Sequence, residues 1–408
     1  MRRRELRSAR IIVGIAGAVP ALVAGQAFAE DGIKLSVGGF FRSAYQVVID
    51  DDAEGEPGNN TNTDGFFSDA EIHFVGRTTL DNGLEIGARV ELEGETEPPT
   101  EGSGGNGQID EAWIWFSGGF GEIRVGSDDD ALANTCIMPP GGTANFSAFS
   151  PNQWGANNGG DNGACIGVVG PDDEPDAQKI IYITPVLGGF QLTTSYTPDP
   201  DAKDHLDNGG PHLGMGNKDA VEPDYAVSAY LTYVHEGDGW GLTWGGGVSL
   251  QAGFEQEEEE GSSQEIFEQD FYQTGLTLQL GNFAIGGTFE YLNDILHFVT
   301  DSSGNESRFD IEAWVAGGGV AYTHDAWTFG AQYSYGHRDF ERADDFNFDE
   351  QIVTQRAVLT ANYALGPGIN VDGELGYTWT DTDPEDAGSF FGDDYDGFEI
   401  GIGTSLTF

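Results

Sequence analysis

From Phe398 to the last residue the chain alternates without a break. Phe398, Ile400, Ile402, Thr404, Leu406 and Phe408 fall on one face of an extended segment, and Glu399, Gly401, Gly403, Ser405 and Thr407 fall on the other. Side chains along a strand point to opposite faces in turn, so this period of two describes a strand held between a hydrocarbon medium and a polar one. The pattern recurs at Ile369, Val371, Gly373, Leu375, Tyr377 and Trp379 against Asn370, Asp372, Glu374, Gly376, Thr378 and Thr380. In lipid every backbone amide must be paired within the protein, and a sheet meets that demand only when it closes and loses its edges. The pattern therefore predicts an all-β chain, a transmembrane antiparallel β-barrel.

Reading the rest of the chain for alternation and turn residues gives sixteen strands. They lie near 33–48, 66–80, 84–94, 108–117, 122–127, 178–185, 189–197, 224–234, 240–251, 269–280, 283–293, 309–323, 327–336, 351–365, 369–380 and 395–408. The connections alternate in length. Asn82-Gly83, Gly118 to Gly121, Leu187 to Gly189, Glu236 to Gly239, Gly281-Asn282, His324 to Ala326 and Gly366 to Gly368 read as tight turns. Between them lie eight long polar segments, at 49–65, 95–107, 128–177, 198–223, 252–268, 294–308, 337–350 and 381–394. Strands that run up and down through a bilayer place all turns on one side and all loops on the other, as outer-membrane barrels do. A soluble sandwich has no reason to sort its connections this way, and no nonapeptide period suggests a calcium-binding solenoid. Sixteen strands leave an aqueous channel rather than a lumen filled by side chains.

The amino terminus fits export. Met1 to Arg10 carries five Arg, Ile11 to Ala24 is an apolar run of 14 residues, and Ala27-Phe28-Ala29 precedes Glu30. This reads as a signal peptide over residues 1–29, cleaved after Ala29, with a single barrel domain over 30–408. The apolar run is too short to span a bilayer as a helix, which takes roughly 20 residues. Without the leader, which holds five Arg and one Glu, the 17 basic and 69 acidic residues of the chain fall to 12 and 68, a formal charge of −56. Such a charge excludes nucleic acid as a partner. It suits long solvated loops that bind divalent cations such as Ca2+, or a saline habitat. Asp128 to Asp130 and the four Glu at 257–260 read first as solvated charge runs. No segment has the ligand spacing of an EF-hand loop, so no metal ligands are assigned, and no cofactor is expected. Cys136 and Cys165 are the only cysteines. In an oxidising compartment they either form one bridge closing a 28-residue interior segment or stay as two thiols.

The basic residues are few enough to place singly. Arg42, Arg77, Arg89 and Arg124 each lie opposite the apolar face of their strand, and all four are predicted to point into the lumen, as are Lys179 and Arg356. Turning such a residue to mid-membrane lipid costs roughly 2 to 4 kcal/mol. The longest connection, at 128–177, is too long for an ordinary surface loop. Folded inward, it would bring Asp128, Asp129, Asp130, Asp161, Asp172 and Asp173 across a narrow opening from the arginines, and rings of charge bias ion selectivity. Left outside, it would be a solvated cap; the inward fold is the favoured expectation. Trp113 and Trp115 alternate into the lumen with Glu111 and read as wall packing. His73 lies inward on the second strand beside Arg77, with Glu71 nearby, and reads as pore lining. The other six histidines scatter over loops and turns.

Four blocks carry a family resemblance: DNGLEIGARVELE at 81–93, IDEAWIWFSGGFGEIRVGSDD at 109–129, KIIYITPVLGGFQLTTSYTP at 179–198 and GIGTSLTF at 401–408. The chain resembles a Gram-negative general porin of the alphaproteobacterial type, and its terminal strand resembles the sorting signal of outer-membrane barrels. The resemblance implies a bacterial outer-membrane location, sixteen strands, a third loop folded inward as a constriction, wall arginines facing loop carboxylates, and a homotrimer. By that pattern Arg42, Arg77, Arg89 and Arg124 resemble the wall cluster, and 128–177 resembles the constriction loop.

The leading functional expectation is passive diffusion of small hydrophilic solutes and ions through a water-filled, cation-biased channel, set in outer-membrane lipid and lipopolysaccharide. A solute-selective channel is the alternative within the transport class. An adhesin or structural barrel, its acidic loops bridging lipopolysaccharide through divalent cations, is the alternative outside it. A barrel enzyme would need Ser, His and carboxylates gathered at one rim, and the scattered histidines argue against one.

Overall fold

The computed structural model describes residues 32–50, 63–94, 109–149, 177–198, 225–252, 268–300, 306–342, 349–384 and 395–408. It is a closed antiparallel barrel of sixteen strands: β1 (Lys34–Asp50), β2 (Asp64–Thr79), β3 (Glu85–Glu93), β4 (Ile109–Gly118), β5 (Gly121–Ser127), β6 (Gln178–Ile183), β7 (Phe190–Thr197), β8 (Tyr225–Gly237), β9 (Trp240–Ala252), β10 (Glu268–Leu280), β11 (Phe283–Thr300), β12 (Glu306–His324), β13 (Trp327–Arg342), β14 (Asp349–Gly366), β15 (Ile369–Pro384) and β16 (Tyr395–Thr407). Each strand pairs with its neighbours in sequence, and β1 closes on β16 with Arg42 opposite Ser405 and Asp50 opposite Gly397. The closure is clasped at its lower end by two reciprocal hydrogen bonds. Gly39 N–H donates to Phe408 O at 3.0 Å, and Phe408 N–H donates to Gly39 O at 3.1 Å. Among the described residues no helix is long and apolar enough to cross a membrane.

The predicted facing holds. Ile400, Ile402, Leu375, Leu359 and Phe41 are exposed on the outer wall, while Glu399, Glu374, Thr378 and Arg356, one residue out of phase, are buried on the lumen side. Outward aromatics gather at two heights, with Phe190, Trp240, Phe283 and Trp327 near the turns and Tyr45, Phe66, Tyr272, Tyr377 and Phe398 near the loops. These are interfacial girdles, where an aromatic ring meets both hydrocarbon and water. The turns are as short as their residues require: Gly83 takes φ +82° and donates to Leu80 O at 2.8 Å, while Asn82 Oδ1 accepts from Leu84 N–H at 3.1 Å.

The strand ends differ from expectation on the loop side. β11 runs to Thr300, β12 starts at Glu306, β13 runs to Arg342 and β15 runs to Pro384, so several segments expected to be loop are strand. Ladder pairing needs backbone amides, not an apolar face, and above the bilayer polar residues extend the sheet once alternation has ended. On the turn side β8 reaches Gly237, leaving a two-residue connection before Trp240.

Candidate pore constriction

The third long connection leaves β5 and enters the barrel, where residues 128–149 are described. Its root is a single turn. Asp130 Oδ1 accepts Leu132 N–H and Ala133 N–H, both at 2.8 Å, which is helix-capping geometry, and Asp130 Oδ2 accepts the hydroxyl of Ser249 on β9 at 2.7 Å. Ala131 N–H is held by Ser228 Oγ at 2.9 Å, and Leu132 packs on Tyr230 and Phe271. The loop then follows the inner wall. Gln273 donates to Ile137 O at 3.2 Å, Gln332 to Pro139 O at 2.9 Å, Thr360 to Gly141 O at 2.6 Å and Ser334 to Ala148 O at 2.7 Å. Asn145 donates to Asp372 on β15 at 2.6 Å, and Arg42 on β1 donates to Ala144 O at 2.9 Å. Phe149 closes a buried cluster with Ala148, Val315 and Val358. The expected inward fold is therefore the observed one for this half of the loop.

This path follows the lumen face of β8 to β16 and leaves the side chains of Arg42, Asp69, Arg89, Glu122 and Arg124 part-exposed on β1 to β5. The open wall carries the charges. Arg42 meets Asp69, its cross-strand partner on β2, with Nε and Nη2 at 2.6 and 2.5 Å from Oδ2. Arg89 pairs with Glu91, two residues along β3 and hence on the same face. Arg124 pairs with Glu122 at 2.7 Å and with Asp128, at the loop root, at 3.1 Å. Trp113 lies between the last two arginines, 5.1 Å from the Arg89 guanidinium and 5.6 Å from that of Arg124. It is wall packing, buried with both guanidinium groups over its ring. Trp115 donates to Glu85 at 3.2 Å.

Three basic residues depart from the expected cluster. Arg77 sits low in the barrel, exposed and paired across the ladder with Lys34, below the narrow zone. Lys179 is buried and donates to Asp128 O, anchoring the loop rather than lining the passage. Arg356 faces inward but lies behind the loop; its side chain is 3% exposed, and it pairs with Glu399 at 2.5 Å and Glu374 at 3.6 Å. Gln46 bridges both carboxylates at 2.8 and 2.9 Å. Among the predicted loop acids, Asp128 meets Arg124, and Asp129 N–H donates to Glu111 at 3.1 Å. Asp130 is turned back to the wall by its capping role. Asp161, Asp172, Asp173 and Cys165 lie outside the described residues, as does the leader.

His73 points into the lumen as expected, but its cationic neighbour is Arg89 rather than Arg77. Arg89 Nη2 lies 3.0 Å from Nδ1, and the Nε2 side meets Glu71 at 2.6 Å and Glu91 at 3.1 Å. A guanidinium only donates, so Nδ1 accepts and the ring proton sits at Nε2 between the two carboxylates. Glu71, His73 and Glu91 are close enough for one cation, as are Glu71, Glu93 and Asp110. The ring lone pair of the first group is nevertheless aimed at Arg89. A bulge between Val90 and Leu92 opposite β4 accompanies the second group.

The sequence reading missed the wall carboxylates Asp69, Glu91 and Glu122, and the clips Gln332, Thr360, Asn145 and Ser249. The signal for the first set was available. Once a strand's lumen face is known, Glu91 and Glu122 follow from the i, i+2 spacing to Arg89 and Arg124.

A family model described as Gram-negative porin matches residues 16–383. The chain belongs to the Gram-negative porin family. Two relatives are similar in sequence, each 22% identical over 311 residues, covering 71% of this chain and 80% of the other: a protein named monosaccharide porin from Halomonas sp. and the major outer membrane protein of Halomonas elongata. Solved structures share the fold. OmpT of Vibrio cholerae in its trimer form matches with a TM-score of 0.54 at 13% identity over 93% of this chain and 100% of that one. An anion-selective porin from Comamonas acidovorans matches at 0.53 and 14%, over 92% of this chain and 100% of that one. The porin is accordingly a channel of the bacterial outer membrane.

Proposed function

We propose that this porin passes small hydrophilic solutes and ions by passive diffusion and favours cations. The observation that carries the reading is the composition of the open wall. Arg42, Arg89 and Arg124 each sit against a carboxylate, and Asp69, Glu71, Glu91, Glu111, Glu122 and Asp128 together outnumber them. A paired guanidinium adds little net field, so the excess carboxylates set the sign seen by a permeating ion. Single-channel recording in planar bilayers under a salt gradient tests this. A reversal potential favouring cations is expected, and one favouring anions overturns it.

The leader 1–29 is removed after Ala29, and Cys136, which carries no free thiol, bridges to Cys165 within the third loop. The acidic outer loops bind Ca2+ and meet lipopolysaccharide. The protein assembles as a homotrimer, in keeping with the trimer form named for the Vibrio relative in fold. Conductance opening in threes is the expected sign of that assembly.

A solute-selective channel is the second reading, favoured by the relative named a monosaccharide porin. It requires free aromatic faces for sugar stacking, and Trp113 is buried beside two guanidinium groups. Monosaccharides at rising concentration should leave the ion current unblocked; a saturable block would install this reading in place of the first.

A further inference from the structure

The wall beneath the third loop is pitted with lumen-facing glycines, and the loop lies in the pits. An ideal Cβ at Gly275 would overlap the carbonyl oxygen of Ile137, one at Gly319 that of Pro140, and one at Gly330 that of Gly141. At Gly401 it would stand 2.5 Å from Cε1 of Phe146, and at Gly403 2.7 Å from Nδ2 of Asn145. These positions span β10 to β16, the arc the loop follows.

Between the pits stand polar side chains that bind the same stretch of loop. The Gln332 amide donates to Pro139 O at 2.9 Å and accepts from Ser147 Oγ at 2.9 Å and Ala148 N–H at 3.0 Å. Thr360, which pairs across the ladder with Gly330, donates to Gly141 O. Pits and clips thus hold the loop backbone at closer range than a wall bearing Cβ atoms allows.

From this geometry we infer that the lumen glycines Gly275, Gly319, Gly330, Gly401 and Gly403 are positioning residues that set the bore of the channel, by letting the constriction loop sink into the wall. The inference rests on the channel reading and goes beyond it, since it assigns the width of the passage to residues that never touch the solute. The loop is tied at its root by Asp130 and at its far side by Arg42 and Asn145. A side chain grown in a pit therefore has one direction in which to push it, away from the wall and toward the charges of β2 to β5.

The test is single-channel conductance of the full-length porin, read beside the unaltered protein. Gly319→Ala and Gly330→Ala are expected to lower conductance while keeping the barrel, as judged by circular dichroism, and Gly319→Val is expected to lower it further. Gly373→Ala is the control, because its Cβ would have Gly401 O at 3.9 Å as its nearest neighbour. Gly401→Ala guards against misfolding of the other variants, since a ring edge can shift where a backbone carbonyl cannot. Its effect should vanish in a Phe146→Ala background, a coupling that a general loss of stability would not produce. Wild-type conductance in folded Gly319→Ala and Gly401→Ala channels overturns the inference, and so does a rise in conductance, which would mean the loop leaves the lumen. Failure of the unaltered protein to conduct would instead count against the channel reading itself.

Discussion

Arg42 and Asp69 stand opposite each other on β1 and β2, with two guanidinium nitrogens within 2.6 Å of one carboxylate oxygen, while a third nitrogen of Arg42 holds Ala144 O of the constriction loop. One residue thus belongs to the wall and to the loop at once. Their side chains are 31% and 23% exposed, so water in the passage screens the pair and its worth to stability is small.

Its worth to permeation is larger. Arg42→Gln removes the cation and the tether, so the reversal potential should move further toward cations and the open-channel current should become noisier. Asp69→Asn removes the opposing charge and should move the potential the other way. Equal potentials in the two variants would place the pair outside the ion path.

Arg77→Gln provides the contrast. Its side chain lies among the low wall residues beside Lys34, away from the loop, so the variant should keep the selectivity and the noise of the native channel. A shift as large as that of Arg42→Gln would mean that the narrow zone extends to the turn side of the barrel.

The difference between these two arginines shows how far the sequence alone reaches. Both have the same residue type, the same facing and the same kind of strand, and alternation fixes those properties because its period is two. Height along the barrel depends on register and stagger between strands, which are set by pairings such as Arg42 with Asp69 and Arg77 with Lys34. Sixteen strands and their inner faces were legible for that reason. The loop path was not. Its seat is made of glycines such as Gly319 and Gly330, which in sequence look like weak strand positions and gain meaning only when Pro140 and Gly141 lie on them. Arg356 faces inward as alternation requires, but its burial is not legible in the sequence: its ladder neighbour Ser334 is bound to Ala148 O of the loop, a neighbour that only the fold supplies.

Behind the loop, the Arg356 guanidinium is shared by Glu374 and Glu399. Removing one member of a buried ion pair leaves uncompensated charge, a loss of about 3–5 kcal/mol. Arg356→Gln should therefore lower the denaturant midpoint of the folded barrel, whereas Arg356→Gln combined with Glu399→Gln should recover part of the loss. Conductance at neutral pH should change less than stability in both, because the site does not face the passage. A double variant weaker than the single one would show that Glu399 is held by partners other than Arg356.

Tyr230 is fully buried under the loop root. Its hydroxyl donates to Gln273 Oε1 at 2.5 Å, its ring supports Leu132, and the ring is admitted by the bare backbones of Gly245 and Gly247 on β9. Two truncations separate these roles. Tyr230→Phe keeps the ring and strips the donor, which costs about 1 kcal/mol for one hydrogen bond, and the loop should stay in place with native conductance. Tyr230→Ala opens a cavity of ring size between two glycines that cannot fill it, a loss of about 3–5 kcal/mol for a large aromatic residue. The root turn at Leu132 then loses its floor while Asp130 still ties it to Ser249. The channel should conduct with frequent brief closures as the loop rocks about that tie, and the closures should be absent from Tyr230→Phe. Steady current in a folded Tyr230→Ala channel would mean that the polar clips alone suffice to hold the loop.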